Sequence, residues 1–362
     1  MKKLKLVLLS VALIFGMLAM VGCEEETEVG GNENPTTRTI IDGAGRSVEI
    51  PMEVTKVVTT WKPMSTILFS IQGGDKLVGI DNHSRDIEYY NIINPATGSL
   101  PTVGTKKNGV NIETVADVNP EVVFLYGGKN GEPFIEQLEN LGIAVVVIDS
   151  ESPEKVRSMT RLVGEVIGHE EQAEAVVKYY DDTITMIDDK LNAAGYTKDK
   201  RKVTHMFDGN GILAGPPGDY YQSFLMEAGG GITATRDLSG NGFKTVSAEE
   251  LVMLNPEFIF ANQFFKGDIQ EEIDNAKGLE SITAIKENKV YRFPAEMEDW
   301  DFPGAHSALG MLYIAKIVYP DVFADLDLLA ETDSYYKQFY GKTFTELGGN
   351  LDEYFKPYGT KQ

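Results

Sequence analysis

A phrase that occurs twice decides the fold: Asn111-Ile-Glu-Thr-Val-Ala-Asp-Val-Asn-Pro-Glu-Val-Val-Phe-Leu125 and Ser247-Ala-Glu-Glu-Leu-Val-Met-Leu-Asn-Pro-Glu-Phe-Ile-Phe-Ala261. Each copy opens on a residue that caps helices, Asn111 or Ser247, and continues with apolar residues at helical spacing. The Asn-Pro pair ends the helix because proline disfavours helical geometry in the residue before it. The apolar run that follows is typical of a buried strand. Each copy therefore predicts a short helix followed by a buried strand.

The flanks of the two copies repeat more loosely. Their patterns predict strands over residues 56–60, 76–80, 143–148, 202–207 and 290–293, and helices over residues 64–71, 134–141, 220–228 and 268–285. Strands that alternate with helices favour parallel sheets covered by helices. A single doubly wound domain is the alternative, but it would leave the matched Asn-Pro-Glu phrases as an accident. We therefore expect two similar α/β lobes.

A helical segment separates the two copies. Residues 153–195 carry one apolar stripe at helical spacing, in which Gly168 is a candidate break. The predicted fold class is thus α/β, with two lobes of parallel-type sheets flanked by helices, a long connecting α-helix and a ligand cleft between the lobes. The predicted boundaries are an N-terminal lobe over 38–152, the connecting helix over 153–195 and a C-terminal lobe over 196–362.

The N-terminus carries an export pattern. Three lysines in the first five residues precede an apolar run over residues 6–21. The run is shorter than the roughly 20 residues that a membrane span needs, and its length and flanks are typical of a secretory signal. We predict a signal peptide over residues 1–22.

The chain's single cysteine, Cys23, stands directly after that run. Small residues before the cysteine resemble a bacterial lipobox, although Met20 stands where leucine is usual, and a plain signal peptide or a short anchor is the alternative. We predict that Cys23 is lipidated. Residues 23–37 are polar without an apolar period, which predicts a flexible tether. The protein would then be exported and lipid-anchored to the outer face of the cytoplasmic membrane.

Composition excludes several classes of function. The formal net charge of −22 argues against nucleic acid as a partner and against electrostatic docking onto anionic lipid. The sequence has no Gly-x-Ser-x-Gly elbow, no phosphate-binding loop, no Gly-x-Gly-x-x-Gly fingerprint and no clustered metal ligands. We therefore expect a protein that is not an enzyme and has no cofactor; a metal-dependent hydrolase is the alternative from a different class.

The ligand should bind at the loops that follow the strands, where the lobes face each other. Aromatic and cationic side chains gather in these loops, and they suit a bulky anionic or carboxylated chelate because rings stack and guanidinium groups pair with carboxylates. The predicted ligand-binding residues are Trp61, Lys62, His83, Arg85, Tyr126, Arg236, Trp300 and His306.

The two phrases, the connecting helix and the C-terminal stretches 300–320 and 334–341 resemble the solute-binding proteins of importers for iron complexes, haem, corrinoids and molybdate. The resemblance covers nearly everything after the tether. It implies a rigid, monomeric receptor that passes its ligand to an ABC permease dimer with its ATPase. It also implies that Glu113 and Glu249, one in each copy, pair with permease arginines. The plainer alternative is that both glutamates only favour the positive end of a helix dipole.

The expected ligand is a metal chelate, such as a ferric siderophore, haem or a corrinoid. An oxyanion such as molybdate or tungstate is the alternative within the same family, with Arg85, Arg236, Lys62 and His306 as its donors. A surface chelator that hands its ligand to another protein is a further alternative. An open aromatic cleft would favour the chelate, whereas a small pocket with converging donors would favour the oxyanion.

Overall fold

A computed structural model of the chain describes residues 36–105, 107–128, 131–149 and 152–358. The described residues from Thr37 onward belong to one compact unit. The predicted signal peptide and the predicted lipidation at Cys23 lie outside the described residues. So does most of the predicted tether, and Thr37 already begins the first strand. Within the described ranges, no helix is both long enough and apolar enough to cross a membrane.

The strands are short. In chain order they are β1 (Thr37–Ile41), β2 (Ser47–Pro51), β3 (Val57–Thr59), β4 (Leu77–Gly79), β5 (Gly104–Thr105), β6 (Gly109–Val110), β7 (Val122–Tyr126), β8 (Ala144–Ile148), β9 (Val203–Phe207), β10 (Ala214–Gly215), β11 (Ile232–Thr233), β12 (Lys244–Thr245), β13 (Phe258–Ala261) and β14 (Val290–Arg292). The helices are α1 (Lys62–Ser70), α2 (Glu88–Ile93), α3 (Ile112–Val118), α4 (Glu132–Glu139), α5 (Pro153–Ile167), α6 (Glu170–Ala193), α7 (Tyr221–Ala228), α8 (Ala248–Leu254), α9 (Ile269–Asn275), α10 (Thr283–Lys286), α11 (Ser307–Val318) and α12 (Leu328–Tyr340).

Two parallel sheets form the two lobes, which confirms the predicted fold class. The N-terminal lobe has the strand order β4-β3-β7-β8, and the C-terminal lobe has the order β11-β9-β13-β14. Every pairing within these two sheets is parallel. In both lobes the second strand lies outside the first, and the third and fourth follow on the other side. The internal repeat in the sequence is therefore a repeat of topology.

The repeated phrase forms the same local structure twice. Asn111 caps α3 by accepting from the backbone N–H of Thr114, and Ser247 caps α8 through a capping box with Glu250. Both helices end on an asparagine in the left-handed region, at φ 47° for Asn119 and φ 42° for Asn255. Asparagine tolerates this conformation better than most residues, and the proline after it prevents the helix from continuing.

The glutamate of each Asn-Pro-Glu triplet joins two strands at the start of the sheet. The backbone N–H of Glu121 donates to the carbonyl of Lys56 at 2.9 Å, and that of Glu257 donates to Val203 at 2.8 Å. The carboxylate of Glu121 also accepts from the backbone N–H groups of Thr55 at 2.6 Å and Lys56 at 2.9 Å. The repeated triplet therefore sets the register between the first and third strands of each lobe.

The predicted connecting helix over residues 153–195 is two helices, α5 and α6. Gly168 separates them in the left-handed conformation at φ 75°, where a residue with a Cβ would be strained. The chain then reverses, and Arg161 of α5 forms an ion pair with Glu174 of α6 at 2.7 Å. The two helices therefore form an antiparallel hairpin in place of a single rod.

Of the two helices of this hairpin, α6 is the one that leads to the C-terminal lobe. Arg38 of β1 donates to the carbonyl of Val166 at 3.2 Å, which fastens α5 to the N-terminal lobe. Asp188 of α6 pairs with Arg201 at 2.6 Å, directly before the first strand of the C-terminal lobe. The helix that links the lobes is thus 24 residues long.

Two further elements of the C-terminal lobe differ from their sequence patterns. The single helix predicted over 268–285 is α9 and α10: α9 ends at Asn275, and Gly278 adopts φ 91° in the segment between the two helices. The edge strand β11, directly after Gly231, is absent from the strands predicted from the sequence. Its two residues are too few to show a period of two in the sequence.

One hydrophobic core runs through both lobes, with a smaller cluster on each sheet's outer side. Its centre is aromatic: Tyr89 of α2 meets Tyr336 and Tyr340 of α12 edge to face, at ring distances of 5.8 and 5.6 Å. The C-terminal helix α12 therefore packs against the N-terminal lobe. Such a shared core restricts how far the lobes can separate.

Candidate functional site

A cavity of about 530 Å³ lies where the carboxyl ends of the two sheets meet. The loops after β3 and β4 and the β5–β6 hairpin line it from the N-terminal lobe. The loops after β13 and β14 line it from the C-terminal lobe. Its lining residues are Trp61, Lys62, Asp81, His83, Thr105, Lys107, Gln263, Phe264, Asp299 and Phe302. Ligands of parallel α/β sheets bind at this edge, so the cavity is the candidate site.

Four of the predicted ligand-binding residues belong to this region. Trp61, Lys62 and His83 line the cavity. Tyr126 packs edge to face against Trp61 at a ring distance of 4.6 Å, so it supports the indole from behind. His83 is exposed at the end of the β4 loop.

The structure does not bring the other four predicted residues to the cavity. Arg85 forms an exposed ion pair with its neighbour Asp86. Arg236 lines a separate depression beside α6 and α7. Trp300 and His306 are fully buried, and neither lines the cavity. Trp300 and His306 lie away from the cavity because the segment after β14 passes inward before α11 begins.

Lys62 is bound by carboxylates of the opposite lobe. Its ammonium group pairs with Asp299 and lies 3.6 Å from Glu298. Burial by itself would lower the pKa of Lys62, but the two carboxylates raise this pKa above its ordinary value. The positive charge of Lys62, which was predicted to bind the ligand, is therefore largely compensated by these two carboxylates.

Glu298 is fully buried and is the centre of a hydrogen-bond network between the lobes. It accepts from the hydroxyls of Tyr90 and Tyr89, the latter at 2.6 Å, and from Thr66 at 3.3 Å. Burial raises the pKa of this carboxyl, but the charge of Lys62 and the hydroxyl donors together hold it below its usual range. The side-chain carboxylate of Glu298, from the C-terminal lobe, is thus bound by helices α1 and α2 of the N-terminal lobe.

Two further carboxylates lie beside the cavity. Asp81 is buried and accepts from the Ser65 hydroxyl at 2.7 Å and from the backbone N–H groups of His83 and Ser84. These bonds fix the loop that carries His83. Burial, followed by the neighbouring charge of Asp299, raises the pKa of the Asp301 carboxyl to about 7.

The sequence prediction missed the contribution of the loop after β13. Gln263 and Phe264 both line the cavity, and Phe264 is 51% exposed. Phe264 meets Phe302 edge to face at 6.1 Å. The signal was present, because β13 is the buried strand of the second repeat and its carboxyl end must face the cleft. The same rule selected the loops after β3 and β4, which also line the cavity.

The two glutamates of the repeated phrase lie on equivalent outer surfaces. Glu113 and Glu249 are exposed in the first turns of α3 and α8. Each helix runs back along the strand that follows it, so its first turn lies toward the carboxyl edge of its sheet. Both carboxylates are therefore on the side of the molecule where the cleft opens.

Among the described residues, no group of three or more His, Cys, Asp or Glu side chains is arranged to hold a metal ion. His205, inside β9, is buried and bonds the carbonyl of Ile212 at 2.9 Å. Burial lowers the pKa of His205 to about 4, so this side chain is neutral and structural.

Two parallel α/β lobes, a linking helix and a cleft at the strand ends define a two-lobed binding protein. The chain belongs to the periplasmic binding protein family, whose model matches residues 57–297. It is 26% identical to the molybdate-binding protein MolA of Haemophilus influenzae over 85% of this chain and 92% of MolA. The structure of MolA bound to molybdate covers 84% of this chain and 98% of MolA, with a TM-score of 0.72.

Two other relatives extend the comparison. The chain is 24% identical to YvrC of Bacillus subtilis, an uncharacterized ABC transporter substrate-binding lipoprotein, over 87% of this chain and 97% of YvrC. It is 23% identical to the vitamin B12-binding protein of Yersinia pestis over 64% of this chain and 76% of that protein. These relatives are substrate-binding proteins, in agreement with the expectation of a receptor.

Proposed function

We propose that this chain is the extracytoplasmic receptor of an ABC importer and that it binds a metal chelate, such as a ferric siderophore, haem or a corrinoid. The observation that supports this most is the cavity, which has aromatic side chains from both lobes and a volume of about 530 Å³. That volume lies in the range of small-molecule sites and is far larger than a single oxyanion. The likeness to the vitamin B12-binding protein agrees with a bulky complex.

An oxyanion is the second candidate, and the likeness to the molybdate-binding protein favours it. The positions of the four predicted donors argue against an oxyanion, because these side chains do not converge on one point. Arg85 and Arg236 lie elsewhere on the surface, His306 is buried, and Lys62 is paired with Asp299. An oxyanion site needs several donors directed at one point.

A thermal-shift panel on the full chain separates the two candidates. The panel contains a ferric siderophore, haem, cobalamin, molybdate and tungstate. A ligand at 100 times its dissociation constant stabilises the folded state by about 2.7 kcal/mol, which is readily measured. A shift with a chelate supports the proposal, a shift with the oxyanions alone replaces it with the second candidate, and no shift at all contradicts both.

The receptor is proposed to act as a monomer, held to the outer face of the cytoplasmic membrane by a lipid on Cys23. It would deliver its ligand to a permease dimer driven by an ATPase, and it would not itself be an enzyme. Relatedness to a substrate-binding lipoprotein supports the anchor. Replacing Cys23 with alanine should release the protein from the membrane fraction, whereas continued membrane attachment would contradict a lipid anchor.

Glu113 and Glu249 are proposed to register the two lobes on the permease. Arg–carboxylate pairs are directional, so two of them on one rigid body fix its orientation. The double variant Glu113→Ala with Glu249→Ala should keep its ligand affinity and lose uptake. The matched control is Glu170→Ala with Glu171→Ala, which removes two exposed glutamates from the first turn of α6. Normal uptake by the first double variant would contradict the docking role.

A further inference from the structure

An exposed aromatic ring stands on a fixed turn at the cavity. Phe264 is 51% exposed, yet its backbone is well held. Its N–H donates to the Asn262 side chain at 2.9 Å, and the next N–H, of Phe265, donates to the carbonyl of Asn262 at 3.1 Å. Phe265 is buried against Phe207. The turn therefore holds Phe264 at the cavity while much of its apolar surface is exposed to water, which is unfavourable.

Gln263, the residue before it, has an unsatisfied polar group. Its side chain lines the cavity, and its Nε2 atom is buried without a hydrogen-bond partner among the described residues. A buried donor without a partner is costly, so such groups in native structures call for an explanation. An acceptor oxygen on a bound molecule would satisfy the amide and would remove this cost.

The opposite wall of the cavity is also aromatic. Trp61 lines it from the N-terminal lobe, supported by Tyr126, and Phe302 lies beside Phe264 on the C-terminal side. Aromatic side chains on both walls favour a ligand that presents ring faces, because stacked and edge-to-face contacts add to the burial of apolar area.

We infer that Gln263 and Phe264 form a ligand subsite that covers a conjugated ring and donates a hydrogen bond to an oxygen at the edge of that ring. This inference rests on the proposed function and narrows it. Among metal chelates, the subsite selects those that present a conjugated ring with an oxygen on the ring or on its substituents over those built on aliphatic chains alone. A catecholate-type complex and a carboxylated macrocycle share this chemistry.

The test measures dissociation constants for the full chain by calorimetry. Its probes are a ferric dihydroxybenzoate complex, haem and ferric citrate. The dihydroxybenzoate complex and haem each present a conjugated ring with nearby oxygens, but one is a catecholate and the other a macrocycle. Citrate has no ring. Trp61, one of two tryptophans in the chain, gives an independent fluorescence signal at the cavity. The wild-type protein should bind at least one ring-bearing complex about tenfold more tightly than ferric citrate, since stacking on one aromatic side chain is worth about 1–3 kcal/mol.

Three variants test whether Phe264 and Gln263 cause the preference for ring-bearing complexes. Phe264→Ala should weaken binding of the ring-bearing complex about tenfold and leave ferric citrate unchanged, and Phe264→Leu should fall between, because it keeps apolar area without a ring face. Gln263→Glu replaces the amide donor with a carboxylate and should weaken binding of the same complex. Phe355→Ala, at a ring 37% exposed outside the cavity lining, is the matched control and should bind normally.

The outcomes separate this inference from the proposed function. Tight binding of a ring-bearing complex that is unaffected by Phe264→Ala and Gln263→Glu would overturn the subsite while the receptor function stands. Equal or tighter binding of ferric citrate would overturn the ring selectivity. If the wild-type protein binds no complex of the thermal-shift panel or of this one, the proposed function fails and the subsite fails with it.

Discussion

The two lobes have the same strand order, but they contribute different chemistry to the cleft. The loops of the N-terminal lobe bring charge and a single indole, through Lys62, Asp81, His83 and Trp61. Those of the C-terminal lobe bring the side-chain amide of Gln263, two phenyl rings and Asp299. A repeated scaffold therefore fixes where the ligand binds, whereas the loops after the strands, which differ between the lobes, determine what binds.

The lobes also differ in how their buried carboxylates are stabilised. Asp81 is satisfied within its own lobe, by a hydroxyl and two backbone N–H groups. Glu298 of the C-terminal lobe depends on Lys62, Tyr89 and Tyr90 of the other lobe. The C-terminal segment after β14 is therefore the one whose acidic groups link the two halves of the molecule.

The largest expected effect is the loss of Glu298. Glu298→Ala removes the main partner of the hydroxyls of Tyr89 and Tyr90 and leaves the Lys62 ammonium with Asp299 alone. Breaking a buried ion pair from one side costs about 3–5 kcal/mol. Denaturant unfolding should show a loss of that size, and both lobes should unfold together because the network and the core span them.

The control for this variant is Asp182→Ala, which removes one side of the exposed Lys178–Asp182 pair. Exposed pairs contribute little, so its unfolding free energy should change by less than about 1 kcal/mol. An equally small change for Glu298→Ala would refute the idea that this carboxylate fastens the lobes together. Two separate unfolding transitions in the wild-type protein would refute the shared core.

Amide substitution of the buried Asp81 and Asp301 should act in opposite directions. The pKa of Asp301 is raised to about 7 by burial and by Asp299, so the folded state holds its proton to higher pH than the unfolded state does. Its contribution to stability is complete below a pH of about 4 and is lost as the pH rises through about 7. Asp301→Asn should therefore stabilise the protein at pH 8, by about 1–3 kcal/mol, and much less at pH 5.

Asp81→Asn should destabilise at both pH values, since an amide gives up one acceptor oxygen in a buried site that uses both. Thermal unfolding of the two variants beside the wild-type protein at pH 5 and pH 8 measures both effects. A stabilisation by Asp301→Asn that is equal at the two pH values would contradict a titrating Asp301.

The fold was largely predictable from sequence because the repeat carries its own start and stop signals. Asn111 and Ser247 mark where the helices begin, and each Asn-Pro pair marks where they end. The wrong predictions concern the points at which a helix is interrupted. Gly168 and Gly278 turn the chain by adopting positive φ, and nothing in the apolar spacing around a glycine shows whether the helix continues through it.

The site was less predictable, because a strand end indicates an edge of the sheet but not the direction of a side chain. Trp61, Lys62 and His83 follow their strands directly, and they line the cavity. Trp300 and His306 follow β14 at a greater distance, where the chain passes into the core, and Trp300 packs there against Phe344 from far along the sequence. Contacts between distant segments leave no local pattern.

The smallest expected effect concerns the asparagines that end α3 and α8, Asn119 and Asn255. Both hold a left-handed backbone that alanine tolerates poorly, so Asn119→Ala should cost about 1 kcal/mol of unfolding free energy. Asn255 also accepts hydrogen bonds from the backbone N–H of Thr283 at 2.9 Å and from its hydroxyl at 3.1 Å. Asn255→Ala should therefore cost about 2 kcal/mol in denaturant unfolding. Glycine at either position keeps the backbone conformation, so only Asn255→Gly should still destabilise. Equal costs for the two alanine variants would mean that the repeat is energetically as symmetric as its strand order, and that the bonds to Thr283 add nothing.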